Sequence, residues 1–195
     1  MYPPKMYACN VIIMYSIYSK STSSHSISWH TTVPFFLQSI QNIIPFAILK
    51  SSNTIDILAT SISTIDNMEF DYDMLVRLAQ CISKQILYME KKRMTFIGFE
   101  LSDILSVGGK YFIIANCSHL VSYDTRLTIP FVKPTFTSPE ITGLIKLPAY
   151  ISPLTTRYSL GALIMALLGG SSVKYTKLYW FLERCKSFSP HFAIV

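Results

Sequence analysis

The chain has 195 residues, half of them apolar and only 14% charged. That length allows one ordinary domain or one lobe with an appendage, and the balance supports a sizeable buried core and excludes disorder of the whole. The net charge of +6 is spread along the chain. Its densest run, Lys91-Lys92-Arg93, falls at the predicted end of a helix, where cations offset the negative pole, so it makes no case for DNA or RNA as a partner.

The four cysteines, Cys9, Cys81, Cys117 and Cys185, lie far apart, and the four histidines, His25, His30, His119 and His191, are equally scattered. Neither a zinc spacing nor a disulfide framework is present, which predicts reduced thiols in an intracellular protein and no bound metal.

Taken in chain order, Met6 to Tyr18 resembles a short signal-peptide core. It lacks a small-residue cleavage site, however, and its β-branched and aromatic residues suit strands. Residues 19–32 read as a polar, serine-rich connector or exposed loop. Val33 to Lys50, with prolines at 34 and 45, reads as short strands or irregular packing. All seven glycines fall at Gly98 or later.

From Asp71 the pattern sharpens. Leu75, Ala79, Ile82, Ile86 and Met89 recur at steps of four, three, four and three, which predicts a helix over 71–92 capped by Asp71 or Asp73. Ile104-Leu105 and Tyr111 to Ile114 read as strands joined by the Ser106 to Lys110 turn, with Gly108-Gly109 at its centre. A loop punctuated by Pro130, Pro134, Pro139, Pro148 and Pro153 follows. Tyr158 to Gly170 is uncharged but too short to span a bilayer comfortably, and about Thr155 to Leu168 is predicted to be a buried helix. An amphipathic helix is predicted over roughly Tyr175 to Lys186.

Four motifs stand in order on these elements. Phe96-Ile97-Gly98-Phe99, followed by Asp103-Ile104-Leu105, sits where a kinase catalytic loop would be, and Asn116-Cys117-Ser118 sits where D-F-G would be. Thr137-Ser138-Pro139-Glu140 resembles A-P-E, and Tyr158-Ser159-Leu160-Gly161 resembles the W-S-x-G of the central hydrophobic helix. Gly98 to Asn116 spans 18 positions and Asn116 to Glu140 spans 24, close to the intervals of active kinases. The chain therefore resembles the protein kinase superfamily, and is similar to the degenerate kinase-like proteins of large DNA viruses.

The resemblance implies a mainly α (α+β) fold. Residues 71–195 would be a kinase-like large lobe truncated at its C-terminal end, and 1–70 a reduced small-lobe remnant. It implies structural roles for Pro139, Glu140, Ser159 and Gly161. Glu140 would be exposed or would pair with Arg157 or Arg184, since the family's arginine partner falls near Ala193. Thr156 stands where the family has an Asp, and is expected to cap its helix.

It also implies that the chemistry is lost. Phosphoryl transfer is positioning plus charge neutralisation. The base position is Gly98, which carries no side chain. The metal-binding Asp is Asn116, neutral where magnesium prefers a carboxylate. Asp103 stands alone at the second metal position and reads as a capping or turn residue rather than a ligand. No glycine-rich loop can exist before Gly98. Lys50 after Ile48-Leu49 is a faint echo of the phosphate lysine, with no Glu before Glu69 to pair with it. His119 reads as a solvent-facing loop histidine, and Thr128, Thr135, Thr137 and Ser138 as ordinary exposed hydroxyls.

The expected function is that of a pseudokinase. It would bind another protein in the cytoplasm (of a host cell, if viral), with no cofactor, nucleic acid or membrane. The alternative is a divergent serine/threonine kinase using ATP and magnesium.

Overall fold

The computed structural model describes residues 9–12, 25–31, 33–124, 126–128 and 130–168. The helix expected over 175–186, together with Cys185, Arg184, His191 and Ala193, lies outside them. No helix among the described residues is long and apolar enough to cross a membrane.

In chain order the elements are β1 (Cys9–Ile12), β2 (His25–Thr31), α1 (Pro34–Gln41), β3 (Ile48–Ser51), β4 (Thr54–Ala59), β5 (Ile62–Thr64) and α2 (Tyr72–Lys91). Then come β6 (Met94–Phe96), β7 (Gly98–Phe99), a 3-10 turn (Leu101–Asp103), β8 (Ile104–Val107) and β9 (Tyr111–Ile114). The series closes with β10 (Leu120–Ser122), β11 (Phe136–Thr137), α3 (Pro139–Thr142) and α4 (Leu154–Leu167).

This corrects the expected fold class. The described residues form a small α+β fold of four α-helices and several small antiparallel sheets, and do not support a mainly helical kinase-like large lobe. The physical reason is the run of short β-branched segments, which pair as strands on both sides of α2. One sheet has the order β1-β2-β4-β3, a second the order β5-β8-β9, and β10-β6 and β11-β7 are two-stranded.

Two local expectations in the first half are also corrected. The serine-rich connector contains β2, which pairs with both β1 and β4. Its alternation sends Ile27 into the core, while Ser28 on the opposite face donates to Asp56 Oδ1 at 2.7 Å. Val33 to Lys50 contains helix α1, with Pro34 in its first turn, where a missing N–H costs nothing because that donor has no helical partner.

The predicted helix over 71–92 is α2. Asp71 is its cap, with Oδ1 accepting from the Met74 N–H at 2.7 Å, and Leu75, Ala79, Ile82, Ile86 and Met89 are all buried. Strands β8 and β9 form the expected hairpin, where Gly108 (φ 60°) and Gly109 (φ 65°) adopt the left-handed conformations the tight turn requires.

Two side chains of α2 reach the free edge of β9. The Gln85 amide donates to the Ile114 carbonyl at 3.0 Å and accepts the Ile114 N–H at 2.8 Å. One turn earlier, the Cys81 sulfur accepts the Phe112 N–H; burial pushes that thiol up, and the hydrogen bond offsets it only in part.

The burial expected of the whole of Thr155 to Leu168 is realised on one face only. Thr155, Thr156, Ser159, Leu160, Leu163 and Ile164 of α4 are buried, while Leu154, Arg157 and Tyr158 are exposed. Arg157 forks onto Glu90 of α2 at 2.7 and 3.0 Å. A single apolar core joins Ile27, Phe36 and Ile55 to Leu78, Phe96, Phe112 and Leu163, and so runs across residue 70.

Candidate functional site

Gly98 lies in β7, a two-residue strand between buried Ile97 and Phe99. Its partner is Thr137 of β11. A Cβ placed on Gly98 would stand 2.5 Å from the Phe136 carbonyl oxygen and 3.0 Å from Thr137 Cβ. The glycine is thus required by the close approach of another backbone. Two further bonds hold that backbone down: Thr137 Oγ1 donates to the Ile97 carbonyl at 2.8 Å, and the Thr135 N–H donates to Glu100 Oε1 at 2.7 Å.

Asp103 closes the 3-10 turn and is only 5% exposed. Its Oδ2 accepts the Glu100 N–H at 2.8 Å and faces His119 Nδ1 at 3.4 Å; its Oδ1 accepts Asn116 Nδ2 at 2.7 Å. Its carbonyl accepts the Ala115 N–H at 2.8 Å. Burial alone would raise this carboxyl. The hydrogen bonds from His119, Glu100 and Asn116, with the charge of His119, outweigh it and hold the group below the ordinary aspartate value.

Asn116 is committed on both sides. While its Nδ2 serves Asp103, its Oδ1 accepts the Ser118 N–H at 2.9 Å, an Asx-type turn that places His119 over the carboxylate. The His119 carbonyl in turn accepts the Ile97 N–H at 2.9 Å. His119 is therefore largely covered, with 18% of its side chain exposed; the solvent-facing placement is corrected because Asp103 draws the imidazole inward.

Thr156 does not cap α4. It lies inside the helix, where its Oγ1 accepts the Phe96 N–H at 2.7 Å, donates to the Phe96 carbonyl at 2.8 Å and meets Thr95 Oγ1 at 2.6 Å. One hydroxyl thus satisfies three polar groups of the segment leading into β7.

The other singled-out residues lie around this centre. Pro139 and Glu140 open α3; Glu140 is exposed, accepts the Thr155 hydroxyl at 3.3 Å, and does not meet Arg157, which is engaged by Glu90. Ser159 Oγ donates back to the Thr155 carbonyl at 2.9 Å. Apart from its chain neighbours and the backbone of its own helix, no described atom lies within 4 Å of where a Gly161 side chain would start. Ser138 is fully buried rather than exposed, and its hydroxyl has no partner among the described residues. Lys50 pairs with Asp56, whose carboxyl is lowered by that contact and by Ser28.

Sequence reasoning missed Glu100 and the roles of His119 and Thr156. All three act through contacts distant in sequence or through backbone groups, which leave no local pattern. Chemically, the centre is a saturated polar knot: an ionised carboxylate, both of whose oxygens already accept, and an amide with both ends engaged. Among the described residues there is no group of three or more His, Cys, Asp or Glu side chains able to hold a metal ion. No protein-family model matches the chain, and no curated protein matches it.

Proposed function

We propose that this chain is a pseudokinase-type interaction module, working by binding another protein inside the cell rather than by transferring phosphate. The observation that carries the proposal is the closure over Gly98. Strand β11 occupies the space a catalytic base would need, with a carbonyl oxygen 2.5 Å from the first atom of any side chain there.

Support also comes from Asp103 and Asn116. Metal binding would require their oxygens to turn toward solvent, breaking the contacts at 2.7, 2.8 and 2.9 Å that now order the 100–119 segment. A transferring enzyme keeps such groups aimed at the reacting phosphate; here they are aimed at one another.

The test is a thermal-shift titration with ATP, with and without magnesium or manganese, alongside radiolabelled phosphate transfer to self and to generic acceptors. Nucleotide that binds the folded chain must raise its melting temperature. Neither a metal-dependent shift nor incorporation is expected. Incorporation by the native chain that disappears in Asp103→Ala would replace this function with that of a divergent ATP-dependent serine/threonine kinase.

A further inference from the structure

Helix α4 is apolar on two faces, and the described residues bury one of them. Thr155, Thr156, Ser159, Leu160, Leu163 and Ile164 turn into the core. On the opposite side Leu154, Tyr158, Gly161 and Met165 follow one another at steps of four, three and four, so the helical repeat sets them in a single row. None of the four is buried; Leu154 is 61% exposed and Tyr158 52%. An apolar row of this kind on a helix is ordinarily covered.

Gly161 stands in the middle of the row. A glycine inside a helix costs stability against alanine, and what it gives in return is room for a close neighbour. At Gly98 that neighbour is strand β11. At Gly161, beyond its chain neighbours and its own helix backbone, no described atom comes within 4 Å of where a Cβ would start. The room is left open.

The sequence that follows α4 carries a matching pattern. Gly169-Gly170-Ser171-Ser172 punctuates the chain just past the helix end, and the predicted amphipathic stretch begins at Tyr175. There Tyr175, Leu178, Leu182 and Cys185 recur at steps of three, four and three. Taken backwards from the cap of α4, Leu168, Met165, Gly161 and Tyr158 recur at the same steps.

We propose that Tyr175 to Lys186 docks antiparallel on this row as the second arm of a helical hairpin. Leu178 lies against Met165, Leu182 fills the room over Gly161, and Cys185 comes beside Tyr158. The connection 169–174 is of the length that joins antiparallel neighbours. Tethering selects this occupant. A short link holds the segment at an effective concentration in roughly the millimolar range, which a second copy or a separate partner would have to exceed. A second copy also gains little, since a stable interface uses roughly 20–30 residues a side and the row is one face of a single helix. The docking is independent of whether the chain transfers phosphate.

The test uses the full chain carrying Tyr158→Cys, oxidised with copper–phenanthroline in air, with disulfides mapped by peptide mass spectrometry. A disulfide needs its Cα atoms within about 7 Å. A bond from position 158 to Cys185 within one chain is expected, lost when Cys185→Ser is added. Leu58→Cys, at an exposed position of β4, is expected to form no bond to Cys185. Gly161→Leu gives a second reading through its sign. Leucine is the better helix former, so with nothing over the row it raises the melting temperature. Against Leu182 it overpacks, and a fall of at least about 2 °C is expected.

An introduced thiol at position 158 that stays unpaired overturns the proposal, as does a melting temperature unchanged or raised by Gly161→Leu. Equal pairing of positions 58 and 158 with Cys185 overturns it too, because the segment then has no fixed seat. A bond joining position 158 of two chains overturns it in favour of a second copy.

Discussion

Substituting Gly98 with alanine adds one methyl group at the tightest backbone approach beside the site. The new carbon would lie 2.5 Å from the Phe136 carbonyl oxygen, against about 3.3–3.6 Å for an ordinary C–H···O contact. Phe136 cannot simply withdraw. Its strand pairs with β7 on one side, and the Thr137 hydroxyl and Thr135 N–H bind Ile97 and Glu100 on either flank. Overpacking at a site that cannot relax costs about 1–3 kcal/mol. If β11 lifts away instead, the loss of two net hydrogen bonds costs about 1 kcal/mol each. Gly98→Ala is therefore expected to lower the unfolding free energy by about 1–3 kcal/mol, measured as the midpoint shift in urea at constant slope. Gly98→Asp should cost at least as much and should not create activity, because the added carboxylate has no room beneath β11. A Gly98→Ala variant within about 0.5 kcal/mol of the native chain, the range of an inert surface change, would refute the close approach and with it the closure of the site.

Further outcomes follow from the polar knot and its supports. Asp103→Asn should destabilise by about 2–3 kcal/mol, since an amide cannot accept from both Asn116 Nδ2 and the Glu100 N–H without setting one donor against another. Because the folded-state carboxyl is lowered, its contribution is fully present above the ordinary value of 3.8 and is lost as pH falls through the lowered one; acid titration of Asp103→Asn should show a shallower loss of stability below about pH 4. Thr156→Val should cost about 2–4 kcal/mol by stranding the Phe96 N–H and carbonyl and the Thr95 hydroxyl, with Thr156→Ser restoring most of it in the same urea assay. Arg93 holds a positive φ of 60° just beyond α2, while its guanidinium binds exposed Asp124. Arg93→Gly removes backbone strain and gives up a solvent-screened ion pair and an exposed guanidinium–ring contact with Tyr123, each worth little at the surface, so a higher melting temperature is expected.

Strict periodicity made α2 legible, with its cap at Asp71, and the Gly108-Gly109 pair made the β8–β9 hairpin legible. Where two physical cues competed, the local reading failed. The prolines at 34 and 45 suggest short strands or irregular packing, yet Pro34 stands at the head of α1 and starts the helix. The serines of β2 suggested a loop, yet Ser26-Ile27-Ser28 alternates as a strand between two neighbours must. The mainly helical expectation failed because 94–122 contributes five short strands, of which β6, β7 and β10 are too brief to announce themselves. At the site, the motif resemblance drew attention to Gly98, Asp103 and Asn116. Nothing local foretold that Phe136 would lie on the glycine, that His119 would turn inward, or that the Thr156 hydroxyl would hold Phe96. Each of these contacts spans at least 16 positions of chain, and its partner is a backbone atom or a single side chain.

Strand β9 ends its sheet, and an uncovered strand margin invites another chain to pair with it. Helix α2 answers this through residues 81 and 85. Four helical residues rise about 6 Å, and two strand residues advance about 7 Å, so the two side chains meet Phe112 and Ile114 in register. The Gln85 amide, donor and acceptor at once, stands in for a peptide group of a missing neighbour. A helix has thereby taken the place of a strand, and this margin is closed to amyloid-like extension for as long as α2 stays docked.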